Sequence, residues 1–371
     1  MRLLLLNYEY PPLGGGAATA TYNMLQQFKN RKDLDVTLLT SSVAGFEQEK
    51  IGRNIRIIKF DIKKDGELHN QSNRNLLSYS SQAYKWIISN RKEFDLIHAF
   101  FGIPCGFIAM LSGLPYIVSL RGSDVPFYSP KYEKLDKYVF KYLDRIIWRK
   151  AFKVFANSEG LRDLAYKTYD RKEIGLIYNG VDTDIFKPAI KDKGFIVVST
   201  SRLTSRKGLD YLLKAFAKFE KGKKDVELRF YGDGEEKENL IELAKKLKIE
   251  NSTEFFGDKN RKDLAVLVPK CHVFVLSSKN EGMSNSLLEA MASGLACIAT
   301  NVGGAKELID GGYGIIVKKE SVEEIYKGLE LLYKDKKLLK SMSKKARGKV
   351  EKMGWNNMAS KYIKIYEEVC E

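Results

Sequence analysis

Two trains of short apolar segments, each segment followed by a stretch of helical period, run through this chain with one polar interruption between them. The first train is Leu3–Tyr8, Val36–Ser41, Ile55–Phe60, Leu96–Ala99, Tyr116–Leu120, Val154–Asn157 and Ile174–Tyr178. The second is Phe195–Thr200, Val226–Tyr231, Thr253–Phe256, Val273–Leu276, Ala296–Thr300 and Gly314–Val317. Strands that read as unbroken apolar runs are buried on both faces, and strand-helix alternation builds a parallel sheet. The expected fold class is α/β, with two doubly wound domains. The interruption, Asn179 to Gly194 (NGVDTDIFKPAIKDKG), holds Pro188 and has no apolar period, so it predicts the linker. The domains then fall at 1–188 and 189–354, with a last helix over about 355–371. A length of 371 residues suits two domains. Sheets of this kind bind ligands beyond the carboxyl ends of their strands, so a cleft between the two domains is the expected site.

Composition removes several alternatives. With 44% hydrophobic and 30% charged residues the chain is neither disordered nor fibrous. Cys105, Cys271, Cys297 and Cys370 are scattered, which encodes neither a disulfide framework nor a zinc site and fits a reducing cytosol. The opening MRLLLLNYEYPP is too short in apolar length for a signal peptide. Leu96 to Ser119 lacks Asp, Glu, Lys and Arg, but its prolines and glycines divide it into strand, short helix (Ile103–Ser112) and strand rather than a membrane span. The net charge of +16 points to an anionic partner. It is spread evenly, 28 basic against 20 acidic residues up to residue 188 and 35 against 27 beyond, and no nucleic-acid motif accompanies it. Nucleic acid is therefore not expected as a partner.

Three places carry candidate chemistry. Gly14-Gly15-Gly16 follows the first strand and precedes a helix, where backbone N–H groups approach an anion; a tight strand-to-helix turn needs glycine too. The dinucleotide G-x-G-x-x-G spacing is missing and the second strand ends in Thr40-Ser41, with no acid for a ribose, which disfavours a nicotinamide enzyme. In STSRLTSRKG, Arg202 and Lys207 sit in a loop after the first strand of the second domain, suited to a diphosphate or simply solvated. The third is NEGMSNSLLEAMASGLACIATNVGG, with Glu281 and Glu289 eight residues apart. Glu289 stands in an otherwise apolar helix, about Asn285 to Ser293. A buried carboxylate requires hydrogen-bond donors, either ligand hydroxyls or nearby backbone.

At these residues the chain resembles glycosyltransferase family 4, the retaining GT-B enzymes also grouped as glycosyl transferases group 1. The matching stretches are PPLGGG, NGVDTDIFKP, SRLTSRKG, the E-x(7)-E pair Glu281/Glu289, GLACIATNVGGAKELI and WNNMASKYIKIYEEV, which together span nearly the whole chain. The resemblance implies two Rossmann-like domains, the first for the acceptor and the second for the nucleotide sugar, with the final helix crossing back to the first. It implies retaining transfer of a sugar from a nucleotide diphosphate donor to a glycan or lipid-linked acceptor. No metal or other cofactor is expected, because Arg202 and Lys207 can supply the positive charge, and the scattered cysteines make the cytoplasm the expected location. Glu281, Arg202 and Lys207 would then be catalytic. Gly15, Gly16, Arg121, Met283, Ser284, Asn285, Ser286 and Glu289 would bind the donor. A sugar-nucleotide epimerase, or another GT-B relative that does not transfer to an acceptor, is the alternative.

Some features stand apart from the resemblance. Arg121, in RGSD, occupies a place where the family often has histidine; its partner is either a ligand anion or Asp124. His98 is open between ligand and structural roles, while His69 and His272 read as loop and strand-start residues. Asp182-Thr183-Asp184 has the D-x-D metal spacing but falls in the linker. On a helix from about Lys131 to Phe152, Lys134, Lys137, Lys141, Arg145 and Arg149 form one stripe, with Tyr132, Tyr138, Tyr142 and Trp148 interleaved. An anionic membrane surface, on its inner face, is a candidate partner for that stripe; a solvated face is the other reading.

Overall fold

The computed structural model describes residues 1–63, 72–129 and 132–371, so His69 and Lys131 lie outside the described residues. It divides into two compact units, Met1–Asn179 with Trp355–Glu371, and Gly180–Gly354.

The first unit holds β1 (Arg2–Leu6), β2 (Asp35–Ser42), β3 (Glu47–Ile51), β4 (Ile55–Asp61), β5 (Leu96–Phe100), β6 (Tyr116–Leu120), β7 (Val154–Ala156) and β8 (Ile174–Leu176). They form one sheet in the order β3-β4-β2-β1-β5-β6-β7-β8, parallel except for β3. Leu3 to Leu6 are fully buried between β2 and β5, in register with Val36 to Leu39 on one side and Leu96 to Ala99 on the other. Each such leucine contributes about 1.5–3 kcal/mol relative to exposure, which is why this run takes the sheet centre.

β3 was not predicted. Its sequence EQEKI has no apolar alternation, and it forms because it returns antiparallel along β4, where Glu47 and Glu49 each reach Lys59 at 3.0 Å. Charges on an edge strand also discourage further pairing. The apolar run from Leu96 folds as strand, a turn over Gly102–Gly106, helix Phe107–Ser112 and strand, and among the described residues no helix is long and apolar enough to cross a membrane.

The second sheet contains β9 (Phe195–Thr200), β10 (Val226–Tyr231), β11 (Thr253–Phe255), β12 (Val273–Leu276), β13 (Ala296–Thr300) and β14 (Ile315–Val317). All are parallel, in the order β11-β10-β9-β12-β13-β14, the Rossmann order for six strands.

Residues 180–188, read from the sequence as the tail of the first domain, pack on the second unit instead. Phe186 is fully buried there, and Val181 N–H donates to the Met353 carbonyl at 2.8 Å. Arg347 donates Nη1 to the carbonyls of Phe186 (2.8 Å) and Ala292 (2.7 Å), tying this segment to helix Asn285–Ala292. The apolar Val181, Ile185 and Phe186 are too sparse to register as a period, which hid the segment's anchoring.

Helix Trp355–Cys370 belongs to the first unit and packs along helix Gly16–Phe28. Its buried face presents Tyr362 and Tyr366, one turn apart. The Tyr366 hydroxyl lies 2.6 Å from His98 Nδ1, His98 Nε2 lies 2.7 Å from Ser119 Oγ, and Ser119 Oγ lies 2.8 Å from the Tyr362 hydroxyl. This closed polar network, fully buried, makes His98 a structural residue. Burial and the nearby Arg121 hold its imidazole well below the ordinary histidine pKa, and thus neutral. His272 precedes β12 and its Nδ1 accepts the Ile196 N–H at 3.2 Å.

Candidate active site

In the second sheet the order of strands reverses between β9 and β12, and a crevice opens outside the carboxyl ends of strands at such a switch point. The two loops leaving there carry the predicted charges. After β9 the chain makes a single helical turn, Ser205–Lys207, and then Gly208 at φ 58°. A Cβ at Gly208 would stand 2.4 Å from the Ser277 carbonyl oxygen, so glycine is required for the loops to meet. Ser277 Oγ donates to the Lys207 carbonyl (2.9 Å), and Lys279 N–H donates to the Arg206 carbonyl (2.9 Å).

These bonds bring Lys207 and Glu281 together as a buried ion pair, Nζ to Oε1, and Ser278 Oγ donates to the same oxygen at 2.8 Å. Burial alone would raise the Glu281 carboxyl. Lys207 and Arg206 beside it, with the hydrogen bonds from Lys207 and Ser278, outweigh that and hold it below the usual carboxylate range. The Glu281 turn is clamped from behind: a Cβ at Gly303 would lie 1.8 Å from the Glu281 carbonyl oxygen, and Gly304 N–H donates to the Gly282 carbonyl at 2.7 Å. Arg202 is half-buried on the same β9 loop.

Glu281 leads into helix Asn285–Ala292, whose first-turn amides face outward from its N-terminus. Met283 and Ser284 are buried. Ser284 is the N-cap and accepts the Leu287 N–H (3.3 Å), with Ser286 Oγ 3.1 Å away, so the Ser284 hydroxyl already has a structural task. Asn285 and Ser286 are half-buried on the first turn. One turn further, Glu289 reaches Arg261 at 3.3 Å, and Arg261 stacks over Phe186 with 5.5 Å to the ring centroid. Burial raises the Glu289 carboxyl to about 7, while Arg261 pulls the other way.

In the first sheet the order reverses between β1 and β5. The glycine loop follows β1 and opens helix Gly16–Phe28. The anion at that turn is internal: Gly15 N–H donates to Glu9 Oε2 at 3.1 Å, and a Cβ at Gly14 would collide with the Glu9 side chain. Glu9 therefore holds the amide that the sequence assigned to a ligand, and a ligand at Gly15 and Gly16 must share or displace it.

Arg121 follows β6 and is buried, with its guanidinium 4.1 Å over the Phe100 ring and Nη1 donating to Asn179 Oδ1 at 2.9 Å. Its side chain does not pair with Asp124. Asp124 spends Oδ1 on the backbone N–H groups of Arg121 and Gly122 (2.9 Å each) and Oδ2 on that of Gly102 (2.8 Å). The local-pair reading of RGSD is thus corrected: the aspartate shapes the backbone turn, because its short side chain reaches amides two and three residues back.

The D-x-D element forms a turn, with Asp182 Oδ1 accepting the N–H groups of Asp184 and Ile185 at 3.1 and 3.0 Å. Among the described residues no cluster of three His, Cys, Asp or Glu is placed to hold a metal ion. Arg206, Ser278, Arg261 and Glu9 were not singled out from the sequence. Arg206 could have been, as Lys207's neighbour; Arg261 opens the helix Arg261–Leu267, 28 residues before Glu289, and carried no signal.

Comparison with known proteins agrees with this arrangement. Residues 180–349 match the family described as glycosyl transferases group 1, and residues 14–185 match glycosyltransferase family 4. An uncharacterized glycosyltransferase of Methanocaldococcus jannaschii is 25% identical over 100% of this chain and 99% of its own. The N-acetylgalactosamine-N,N'-diacetylbacillosaminyl-diphospho-undecaprenol 4-alpha-N-acetylgalactosaminyltransferase of Campylobacter jejuni is 31% identical over 56% of this chain and 58% of its own. Among solved structures, sucrose-phosphate synthase from Thermosynechococcus elongatus superposes with a TM-score of 0.86 over 99% of this chain and 98% of that one, at 17% identity, a likeness of fold. The two family matches, each over a little less than half of the chain, together span residues 14 to 349, and with the relatives they mark the chain as a glycosyltransferase of GT-B fold.

Proposed function

We propose that this glycosyltransferase moves a sugar, with retention of anomeric configuration, from a nucleoside diphosphate donor to a glycan or lipid-linked acceptor in cell-surface polysaccharide or glycoconjugate synthesis. It works in the cytoplasm, at the inner face of the membrane, without metal or other cofactor. The observation that carries the reading is the Lys207–Glu281 ion pair at the switch point, with Glu281 eight residues before the Glu289 carboxylate. In this reading Lys207 and Arg202 neutralise the leaving diphosphate, a service worth about 3–4 kcal/mol per well-placed donor in comparable sites. Glu281 supports positive charge developing on the sugar, and Glu289 accepts from the ribose hydroxyls. Met283 to Ser286 contribute backbone N–H groups, and Gly15, Gly16 and Arg121, residues of the first unit, are further proposed donor contacts. The diphospho-undecaprenol in the name of the Campylobacter jejuni relative supports a lipid-linked acceptor.

A panel of sugar nucleotides tests the reading through thermal stabilisation and donor hydrolysis, followed by transfer to a polyprenyl-diphosphate sugar. One donor is expected to stand out, with the anomeric proton of the product in the donor's configuration and with activity unchanged by EDTA. Interconversion of the donor sugar without any acceptor would establish the epimerase alternative instead. Loss of activity in EDTA with recovery in Mg²⁺ would remove the metal-free part of the proposal.

A further inference from the structure

Three helices of the first unit stand side by side: Asn73–Asn90 packs against Phe107–Ser112, which in turn packs against Lys141–Lys150. The last of these is the end of a continuous helical run over 133–150. Each helix buries one face, yet each also turns large apolar side chains outward. Leu77, Tyr84 and Ile88, at spacings of seven and four, are exposed on the first, Leu77 by 71%. Leu111 is exposed on the second. On the third, Leu135, Tyr138, Tyr142 and Ile146 form an exposed row at spacings of three and four, with Tyr138 68% exposed. Trp148, which the sequence placed among the surface aromatics, is fully buried and takes no part.

Charge on this face is one-sided. The three helices carry eight basic residues against three carboxylates, of which Asp136 and Asp144 are buried and only Glu133 meets solvent. On the third helix, Lys134, Lys137, Lys141 and Arg145 each immediately precede a member of the apolar row. Successive residues on a helix are about 100° apart, so the basic row runs beside the apolar row and not opposite it. A solvated helix face has no use for an exposed apolar row. A face matching a second copy of itself would set lysines against lysines. Apolar and tyrosine side chains flanked by a basic row fit the boundary between headgroups and acyl chains of an anionic bilayer.

We propose that this three-helix face docks the first unit onto an anionic lipid bilayer, with the apolar row in the headgroup boundary and the lysines on lipid phosphates. It deepens the peripheral-membrane part of the functional reading and rests on it only for its purpose, not for its evidence. Sedimentation of the full chain with phosphatidylcholine vesicles, with or without phosphatidylglycerol, tests it. The expected result is partition at least about tenfold stronger onto the anionic vesicles, weakening steeply with salt. A charge variant (Lys134→Glu, Lys137→Glu, Lys141→Glu) and an apolar variant (Leu111→Gln, Tyr138→Gln, Tyr142→Gln) should each lose it. Both variants should keep the wild-type melting temperature and donor hydrolysis, since all the altered groups lie away from the residues proposed for the donor. The proposal is overturned if the wild type stays in the supernatant, or if both variants sediment like the wild type. It is equally overturned if light scattering shows a dimer that the apolar variant abolishes while vesicles bind nothing. A protein that binds vesicles but hydrolyses no sugar nucleotide would leave docking standing and remove the functional reading alone.

Discussion

Lys207 and Glu281, 74 residues apart in sequence, meet as a buried ion pair because the loops after β9 and β12 are stitched together through Ser277, Lys279 and Gly208. Removing one member of a buried pair strands the other, at a cost of about 3–5 kcal/mol. Groups acting as one unit also lose function non-additively. Lys207→Ala should lower kcat on the order of 100-fold. Glu281→Ala should lower kcat and kcat/KM together, and the double variant should be little worse than the poorer single one. Fully additive losses in the kinetic cycle would show that the two residues act separately.

The same pair makes a stability prediction with a definite sign. The folded Glu281 pKa is held below the ordinary carboxylate value, so the stability it contributes is present above that value and is lost as pH falls through the folded one. Denaturant midpoints should therefore converge between wild type and Glu281→Gln on acidification, and separate again near neutrality.

Glu289 has the opposite sign. Burial raises its folded pKa to about 7, so it contributes stability that is fully present below the unfolded carboxylate pKa and is lost as pH rises through about 7. Ribose hydroxyls donate best to the ionised form, so a donor that binds only that form should bind about tenfold more tightly at pH 8 than at pH 6. Arg261→Ala removes the cation at 3.3 Å and should move this transition to higher pH. Glu289→Gln should flatten the profile. A pH-independent donor Kd in the wild type, measured calorimetrically, refutes the assignment.

Much of this was legible in the sequence because strand and helix periods are local. β6, β9, β10, β12 and β13 match the apolar runs that predicted them end to end. The chemistry-bearing loops were legible for a related reason: Gly208 and Gly303 mark close backbone approaches that no other residue tolerates, and Gly14 a close approach of the Glu9 side chain. What stayed hidden depends on distant partners. β3 exists through its pairing with β4, and residues 180–188 are held by Arg347, more than 150 residues away. Arg261 meets Glu289 only in the folded sheet, and Glu9 reaches Gly15 only after the loop has closed.

His98 illustrates how a histidine near a strand end becomes structural. Its two ring nitrogens are both used, on Tyr366 and Ser119, inside the seam between β5 and helix Trp355–Cys370. His98→Phe strips the Tyr366 hydroxyl of its partner, at about 1–3 kcal/mol for a group left unsatisfied, while Ser119 Oγ keeps Tyr362. Thermal unfolding should shift downward while donor KM stays within about twofold. A large rise in donor KM without loss of stability would return His98 to the ligand site.

Arg121 is the residue where the structure sharpens an expectation most. Its guanidinium is buried and rests on Phe100, Nη1 is taken by Asn179 and the Tyr362 hydroxyl supports the charge, while Nε and Nη2 themselves make no hydrogen bond among the described residues. Burial lowers its pKa, which means that the folded protein pays to keep this charge. Tyr362, Asp124 and Tyr366 nearby offset part of that cost, although Asp124 gives both carboxylate oxygens to backbone amides and makes no direct bond to the guanidinium. We expect the remainder from an anionic group on donor or acceptor, met by the buried Nε and Nη2 as a fork. Lysine keeps the charge and loses the fork, so Arg121→Lys should reduce kcat/KM by roughly tenfold, about 1.4 kcal/mol. The variant should also gain less thermal stabilisation from inorganic pyrophosphate than the wild type does, since a ligand stabilises only by its own affinity for the folded state. Equal stabilisation of the two proteins, with normal kinetics and a lowered melting temperature for the variant, would show that Arg121 holds β5 and Asn179 together and binds no substrate anion.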